Sequence, residues 1–206
     1  HNQGYLSQAR ERWHTCARLL DRNGRGEFAA IAYNLLGLVS WQEDRRVQAW
    51  KYFEKSLERK ALYGAKDRDV AATLFVRAYI VTDGTAELSS AAALCDLERA
   101  MAAYKAEHDP LGIAVTHCAR ARVHESIGDI AAARAEYLRA VLWAEKAGAL
   151  KGKAVALQGL ARTARRERDR ETHHAEATRI FRMLHCCPLL LPISLQRLDK
   201  RLEVFV

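Results

Sequence analysis

The 206-residue sequence has few of the residues that interrupt helices, since it contains only three prolines and eleven glycines. Alanine, leucine, arginine and glutamate dominate instead, and these residues favour long helices over sheets. Half of the residues are hydrophobic, which is enough for a continuous core in one or two domains. The composition therefore predicts an all-α protein.

Long apolar runs are also lacking. No stretch of eighteen consecutive apolar residues occurs, and the net charge of +8 is spread among many acidic residues. We therefore expect a soluble protein that does not enter the membrane. The five cysteines are odd in number and lack CxxC spacing, which favours buried thiols in a reducing, cytoplasmic compartment.

Local signatures of catalysis are missing as well. The sequence contains no HExxH, GxSxG, GxxxxGK(S/T) or Rossmann fingerprint, so we expect no enzymatic activity. The segment NGRGEF at residues 23–28 has two glycines but follows no strand. It is interpreted as a turn in which Gly24 or Gly26 ends the first helix.

Histidine and cysteine provide the metal-ligand types of the sequence. His117 and His124 are seven residues apart, about 10 Å along a helix, which is too far to share an ion without partners from elsewhere. A second group shows no tetrahedral ligand spacing. It consists of His173, His174, His185, Cys186 and Cys187. We therefore expect neither a metal nor another cofactor, and we expect His117 and His124 to pack in the seam of a hairpin.

The sequence does contain a repeated triplet of small, large and small residues. In GDIAAARAEYLRAVLWAEKAG, residues 128–148, such a triplet stands at i, i+4 and i+7 and shares one face of a helix. Its members are Ala133, Tyr137 and Ala140. The small residue Ala121 lies twelve positions earlier, with the Gly128-Asp129 turn between the two helices. This pattern predicts a helical hairpin.

The same spacing recurs along the chain at intervals of about 40 residues, a length typical of helical repeats. The equivalent triplets are Ala49, Phe53 and Ser56 after Gly37, then Ala93, Leu97 and Ala100 after Ala78, and a degenerate His173, Ala177 and Ile180 after Ala161. Residues 83–85 lengthen the turn of the second hairpin. Ala9, Trp13 and Cys16 also carry the triplet. Residues 1–22 are therefore expected to be the second helix of a truncated repeat, with further protein upstream.

A period of this length built from helix pairs predicts a solenoid, because a hairpin buries its apolar face only when a neighbour stacks on it. We assign residues 23–187 to these repeats. Residues 188–206 carry an apolar stripe beyond Pro188 and Pro192. They are expected to form a capping helix that covers the last exposed groove.

The triplets and the Gly128-Asp129 turn resemble tetratricopeptide repeats over nearly all of residues 5–186. The period exceeds the usual 34 residues and the closing proline after each second helix is absent. In these respects the sequence is more similar to the longer repeats of bacterial transcriptional regulators and peptide-sensing proteins. The resemblance implies a right-handed α-solenoid of antiparallel hairpins, with a concave groove lined by the first helix of each hairpin.

The resemblance also implies which residues line that groove. They are Asn34, Leu38 and Trp41, then Phe75 and Tyr79, then Arg122 and Glu125, and finally Gln158, Arg162 and Arg165. The early half of this set is aromatic and apolar, and the late half is rich in guanidinium groups. Such a gradient suits a peptide with a hydrophobic anchor and an acidic or carboxylate end, with Asn34 as a backbone clamp. The alternative for the aromatic residues is a place in the core.

We therefore expect a non-enzymatic module that binds a peptide or protein, as the sensor or interaction domain of a larger cytoplasmic regulatory protein. The alternative is nucleic-acid association or dimerisation through the basic last hairpin, where nine lysines and arginines stand against four acids between Lys151 and Arg182. The acids alternate with the arginines there, as on a solvated helix face. Direct nucleic-acid binding is therefore not expected, while a homodimer stays open.

Overall fold

The computed structural model describes residues 2–83 and 88–185 and, in this part of the chain, shows nine α-helices, one 3-10 helix and no strand. The α-helices are α1 (Asn2–Arg22), α2 (Gly26–Gln42), α3 (Arg46–Leu62), α4 (Asp67–Tyr79), α5 (Ser90–Ala106), α6 (Pro110–Ser126), α7 (Ile130–Lys146), α8 (Leu150–Arg162) and α9 (Glu167–His185). The predicted all-α class is therefore confirmed. The chain forms two compact units, with α1 to α5 in the first and α6 to α9 in the second.

Most turns between helices share one construction. Two residues beyond the last residue of six helices, the backbone takes a positive φ. These positions are Gly24, Asp44, Gly64, His108, Gly128 and Gly148. Four are glycine, which has no Cβ to oppose this conformation. The amide after each such residue can return to the helix, as the Asp129 N–H does to the His124 carbonyl at 2.9 Å.

The positive-φ positions lie 20 residues apart within each unbroken series, from Gly24 to Gly64 and from His108 to Gly148. A helix of 17 residues and a turn of three make up this unit, for example α7 and the turn after it. The helix unit is thus half of the 40-residue period predicted for a hairpin. Sequence reasoning missed this shorter period, although glycines spaced by 20 residues signal it.

In the first unit, each helix packs on the next one in chain order. Helices joined by such short turns and packed together form antiparallel hairpins. The triplets on α3 and α5 are fully buried, as predicted. Ser56 adds a polar bond across the α2–α3 contact, because its hydroxyl donates to the Ala30 carbonyl at 2.7 Å. Small residues thus lie where helices approach closely.

In the second unit, α6 packs on α7, α7 on α8 and α8 on α9, and α6 also contacts α8. The triplet on α7 is fully buried. In the degenerate copy on α9, Ala177 and Ile180 are buried while His173 is half-buried. Ala177 and Ile180 join one core cluster with Leu157 and Leu160. The triplet pattern therefore found the buried face of α3, α5, α7 and α9, whereas the triplet on α1 is only half-buried.

Two glycines mark close approaches between helices. A Cβ added to Gly37 on α2 would lie 2.6 Å from the ring of Phe53 on α3. A Cβ added to Gly159 on α8 would lie 2.3 Å from the ring of Tyr137 on α7. In each case an aromatic ring fills the space that the missing side chain leaves, which is the small-against-large packing that the triplets imply.

Replacing Gly159 by alanine is expected to destabilise the second unit by about 1–3 kcal/mol, because the added Cβ overpacks a ring that cannot shift freely. The Tyr137 hydroxyl is tied to Glu125 and Arg162. Gly152→Ala in the same helix is the matched control, since its Cβ would meet no atom closer than 3.7 Å. Alanine should even favour that helix by about 0.5–1 kcal/mol. Urea unfolding followed by circular dichroism measures both, and equal stabilities would contradict the close approach.

The cysteines are buried to different degrees. Cys118 is buried, and burial raises the pKa of its thiol to about 12. Cys16 is half-buried and Cys95 is exposed, so the expectation of buried thiols is wrong for Cys95.

Within the part of the chain that the structure describes, no helix is long and apolar enough to cross a bilayer. The predicted capping helix, residues 188–206, lies outside the described residues.

Candidate interaction surfaces

The three aromatic residues predicted to line a groove lie in the core of the first unit. Trp41, Phe75 and Tyr79 are only 1%, 4% and 3% exposed. The Trp41 and Tyr79 rings meet edge to face with centroids 5.8 Å apart, and the Phe75 and Tyr79 centroids are 6.0 Å apart. Their aromatic surface is therefore used within the unit. The structure thus places them where the core alternative predicted, and they do not form an open surface.

The exposed side of α2 carries the other predicted residues of the first unit, Asn34 and Leu38, which are both half-buried. Two further apolar side chains lie beside them and are half-exposed, Phe28 at 50% and Ile31 at 51%. With Leu35, these positions follow helical spacing on one side of the helix. We name this surface the α2 face. Sequence reasoning missed Phe28 and Ile31, although their spacing to Leu35 and Leu38 signals a shared side.

Asn34 brings an unusual polar group to the α2 face. Its side-chain oxygen, Oδ1, is buried and has no hydrogen-bond partner among the residues that the structure describes. A buried acceptor without a donor costs about 1–3 kcal/mol. Since most buried polar groups are paired, this oxygen is suited to accept a hydrogen bond from a bound partner.

In the second unit, the structure brings the predicted residues Glu125 and Arg162 together. Arg162 Nε donates to Glu125 Oε1 at 2.9 Å, and Arg162 Nη2 donates to Glu125 Oε2 at 3.1 Å. Arg122 on α6 is half-buried, and Gln158 on α8 is exposed. Arg165 was predicted to lie on the same helix as Arg162. That placement is wrong, because α8 ends at Arg162 and Arg165 lies in the turn that follows.

Tyr137 completes this polar cluster. Its hydroxyl donates to Glu125 Oε2 at 2.7 Å and lies 3.0 Å from Arg162 Nη2. Burial alone would raise the pKa of Glu125, but the hydrogen bonds from Arg162 and Tyr137 outweigh it and hold the pKa below its usual value. Glu125 is therefore a carboxylate at neutral pH. The Arg162 guanidinium is thus already bound to an internal carboxylate, which sequence reasoning did not predict.

The first unit contains the same arrangement of an acid, a tyrosine and an arginine on three successive helices. Arg59 Nε donates to Asp21 Oδ1 at 2.8 Å, and Arg59 Nη2 donates to Asp21 Oδ2 at 3.2 Å. The Tyr33 hydroxyl donates to Asp21 Oδ2 at 2.7 Å. We name these two sets the acid–tyrosine–arginine clusters. Their recurrence indicates that each one holds three helices together, a structural role that does not require a ligand.

A buried ion pair joins the two helices of the second hairpin. Arg77 on α4 donates through Nε and Nη2 to the two carboxylate oxygens of Asp96 on α5, both at 2.7 Å. The Arg77 guanidinium also lies 4.7 Å from the centre of the Trp50 ring. Such forked contacts are strong and geometrically specific.

The hairpin of α6 and α7 carries a related contact. His117 Nδ1 lies 2.6 Å from Glu136 Oε2, and both side chains are buried, so His117 does lie in a helix seam. Arg120 Nη2 lies 3.8 Å from Glu136 Oε1, and Arg139 donates to the same oxygen at 2.7 Å. Burial acts to raise the pKa of Glu136, but these partners lower the pKa by more, so that it lies below the usual value.

The acids of these two contacts occupy equivalent positions in their repeats, and so do two of the arginines. Asp96 and Glu136 each directly precede the central residue of their triplet, and Arg77 and Arg120 each directly precede the small residue of the first helix. This equivalence supports the predicted register independently of the apolar residues. Sequence reasoning missed it, although the matching charges are visible once the triplets are aligned.

Some of the basic side chains of the last hairpin contact acids. Arg170 contacts Glu167 at 2.9 Å. Lys153 contacts Glu145 at 2.9 Å and Glu176 at 2.8 Å. Such interleaved pairs are typical of a solvated surface. Between residues 2 and 83 and between 88 and 185, no three His, Cys, Asp or Glu side chains converge as a ligand set for a metal ion.

No family model matches this chain, and no curated protein matches it significantly.

Proposed function

We propose that this protein is a non-enzymatic helical-repeat module that binds a peptide or protein partner. The α2 face carries the proposal. Phe28 and Ile31 are large apolar side chains left half-exposed, and Asn34 Oδ1 between the apolar positions lacks a donor in the described part of the chain. Exposed apolar side chains next to unsatisfied polar groups mark surfaces that bind partners.

The hairpins are proposed to form a right-handed α-solenoid that resembles tetratricopeptide repeats. Three observations support this: the 20-residue spacing of the turns, the buried triplets, and the matching ion pairs of consecutive hairpins. In such repeats, one surface of the stack is left open for a partner. We further propose that the module serves as the sensor or interaction domain of a larger cytoplasmic regulatory protein.

The chemistry of the α2 face defines the partner. An aliphatic or aromatic anchor would cover Phe28, Ile31 and Leu38, and a main-chain N–H would donate to Asn34 Oδ1. The arginines of the sequence suggested a partner with a carboxylate end. We no longer assign this feature to the partner, because Arg162 already binds Glu125 through Nε and Nη2. A partner's carboxylate would have to compete with Glu125. The proposed recognition therefore depends mainly on the apolar anchor.

A random peptide library displayed on phage tests this proposal. We expect the chain to enrich peptides with a large apolar residue, and a synthetic copy of an enriched peptide then gives Kd by fluorescence anisotropy. The double variant Ile31→Ser, Leu38→Ser should weaken this binding at least about tenfold, because anchor contacts dominate binding energy. Its helix content should stay unchanged, since Ile31 is half-exposed and Leu38 is not fully buried.

The matched control is Leu62→Ser. Leu62 is a strongly exposed apolar residue at the end of α3, outside the α2 face. This variant should bind the peptide as the unaltered chain does. Enrichment of no peptide, or equal affinity of the double variant and the unaltered chain, would refute the proposed role of the α2 face.

A further inference from the structure

Four residues form an apolar face on the outside of α7. Leu138 and Leu142 are 48% and 65% exposed, Ala131 is exposed and Ala135 is half-buried. We name this surface the α7 face. The opposite side of the helix carries Tyr137, which is packed in the core of the second unit. The α7 face is therefore separate from the contacts that fold the unit, and it takes no part in the proposed peptide site.

The spacing along the α7 face is four, three and four residues. Alternating steps of four and three residues are the steps between the core positions of a seam between two paired helices. Leu111 and Met183, two other exposed apolar residues of the second unit, lie on different helices. A second helix is therefore the kind of element that fits this face.

Side-chain size makes the α7 face complementary to itself. In an antiparallel pair of two copies, Ala131 would lie opposite Leu142 of the second copy, and Ala135 opposite Leu138 of the second copy. Each leucine then fills the space left by an alanine, as close packing requires. A parallel pair would instead set leucine on leucine and alanine on alanine. Only the antiparallel pair matches large to small along the whole face.

The charges beside the α7 face favour the same arrangement. Arg134 and Arg139 flank it on opposite sides, five residues apart, and are tied to Asp169 at 3.7 Å and to Glu136 at 2.7 Å. In a parallel pair, positions with this offset face each other across the seam, so two arginines would repel. In an antiparallel pair, the same flank of each helix faces its equivalent on the second copy. Arg134 then lies opposite Val141 of the second copy, because these two positions are seven residues apart on one flank. The arginines are then separated, and their aliphatic stems cover the seam.

We propose that the α7 face binds the α7 face of a second copy of this chain, in an antiparallel, two-fold symmetric homodimer. A two-fold axis requires one patch to be complementary to itself, and the α7 face meets this requirement in size and charge. One pair of 17-residue helices buries less area than the about 1,600 Å² of a standard interface. We therefore expect dissociation in the micromolar range, so that monomer and dimer exchange with concentration.

Sedimentation equilibrium of the full chain at rising concentration provides the first test. The mean mass should rise from 23.2 kDa towards twice that value. The variant Leu138→Lys, Leu142→Lys should raise the dimer Kd at least about tenfold, because the lysines introduce charge into the seam. Leu111→Lys, which changes a half-exposed leucine on α6, is the control and should dimerise normally. Circular dichroism verifies that each variant is folded.

A cross-linking experiment tests the orientation. Apart from Cys118, the native cysteines are first changed to serine. Ala131→Cys chains with one affinity tag are then mixed with Leu142→Cys chains with another and treated with a short bismaleimide. We expect cross-links between the two different chains, and few between identical ones. A chain that stays monomeric throughout, a dimer unaffected by the lysine variant, or cross-links mainly between identical chains would each overturn the proposal.

Discussion

Asp96→Ala should destabilise the first unit by about 3–5 kcal/mol, because it leaves a buried arginine without its counter-ion. The side chains of Arg77 and Asp96 are only 12% and 5% exposed, and both carboxylate oxygens accept bonds at 2.7 Å. The cation–π contact with Trp50 would compensate only in part. Urea unfolding followed by circular dichroism at 222 nm measures the loss.

Two further variants show whether the loss comes from unpaired charge. The double variant Arg77→Met, Asp96→Leu removes both charges and should recover most of the stability, because apolar side chains of similar size often replace a buried pair without cost. Glu107→Gln is the surface control. It alters the exposed contact to Arg68 at 4.0 Å, and such pairs contribute about 0–1 kcal/mol. A small effect of Asp96→Ala itself would argue against a buried, structurally important pair.

Trp41→Ala should destabilise the first unit by about 3–5 kcal/mol, as expected for loss of a large side chain from a core. Trp41 is 1% exposed and packs edge to face against Tyr79. A tryptophan that served only as a ligand anchor would leave the stability of the unit almost unchanged. The same unfolding measurement therefore separates the two roles that the sequence alone left open.

Trp143→Ala is the matched control for this variant. Trp143 is half-buried on α7, where the Lys146 ammonium lies 4.6 Å from its ring centre. Its removal should cost clearly less than removal of Trp41, since less apolar surface is buried there. Equal losses at the two positions would contradict the core assignment of Trp41. Circular dichroism is the suitable signal, because both variants change tryptophan fluorescence directly.

Several features of the fold could be predicted from the sequence because they depend on local spacing. The triplet around Tyr137 has helical spacing with small residues on both sides, so it defines a buried face without knowledge of the neighbours. The register then placed His117 in a seam, where it contacts Glu136 at 2.6 Å. Gly24 and Gly128 marked turns because only a residue without Cβ adopts their positive φ easily.

The predicted groove residues were less well placed, because a helix of this protein is buried on more than one side. The spacing of Leu38 and Trp41 puts them near each other on α2, yet Leu38 is half-buried while Trp41 is fully buried. A rotation of the helix by a fraction of a turn decides which of the two faces solvent. Sequence periodicity therefore predicts that a helix has an apolar face more reliably than it predicts which residues lie at the edges of that face.

The order of residues by itself determined that the chain is helical, where the turns at Gly24 and Gly128 fall and which face is buried in most helices that carry a triplet. These features depend on backbone preferences and on spacing within one helix. Only the tertiary structure decided that Arg162 is bound to Glu125, that Arg77 is paired with Asp96 and that the three aromatic residues predicted to line a groove form core. These outcomes depend on distances between different helices. Many partners separated by 20 to 40 residues satisfy the same pattern of charge and size, and packing selects among them.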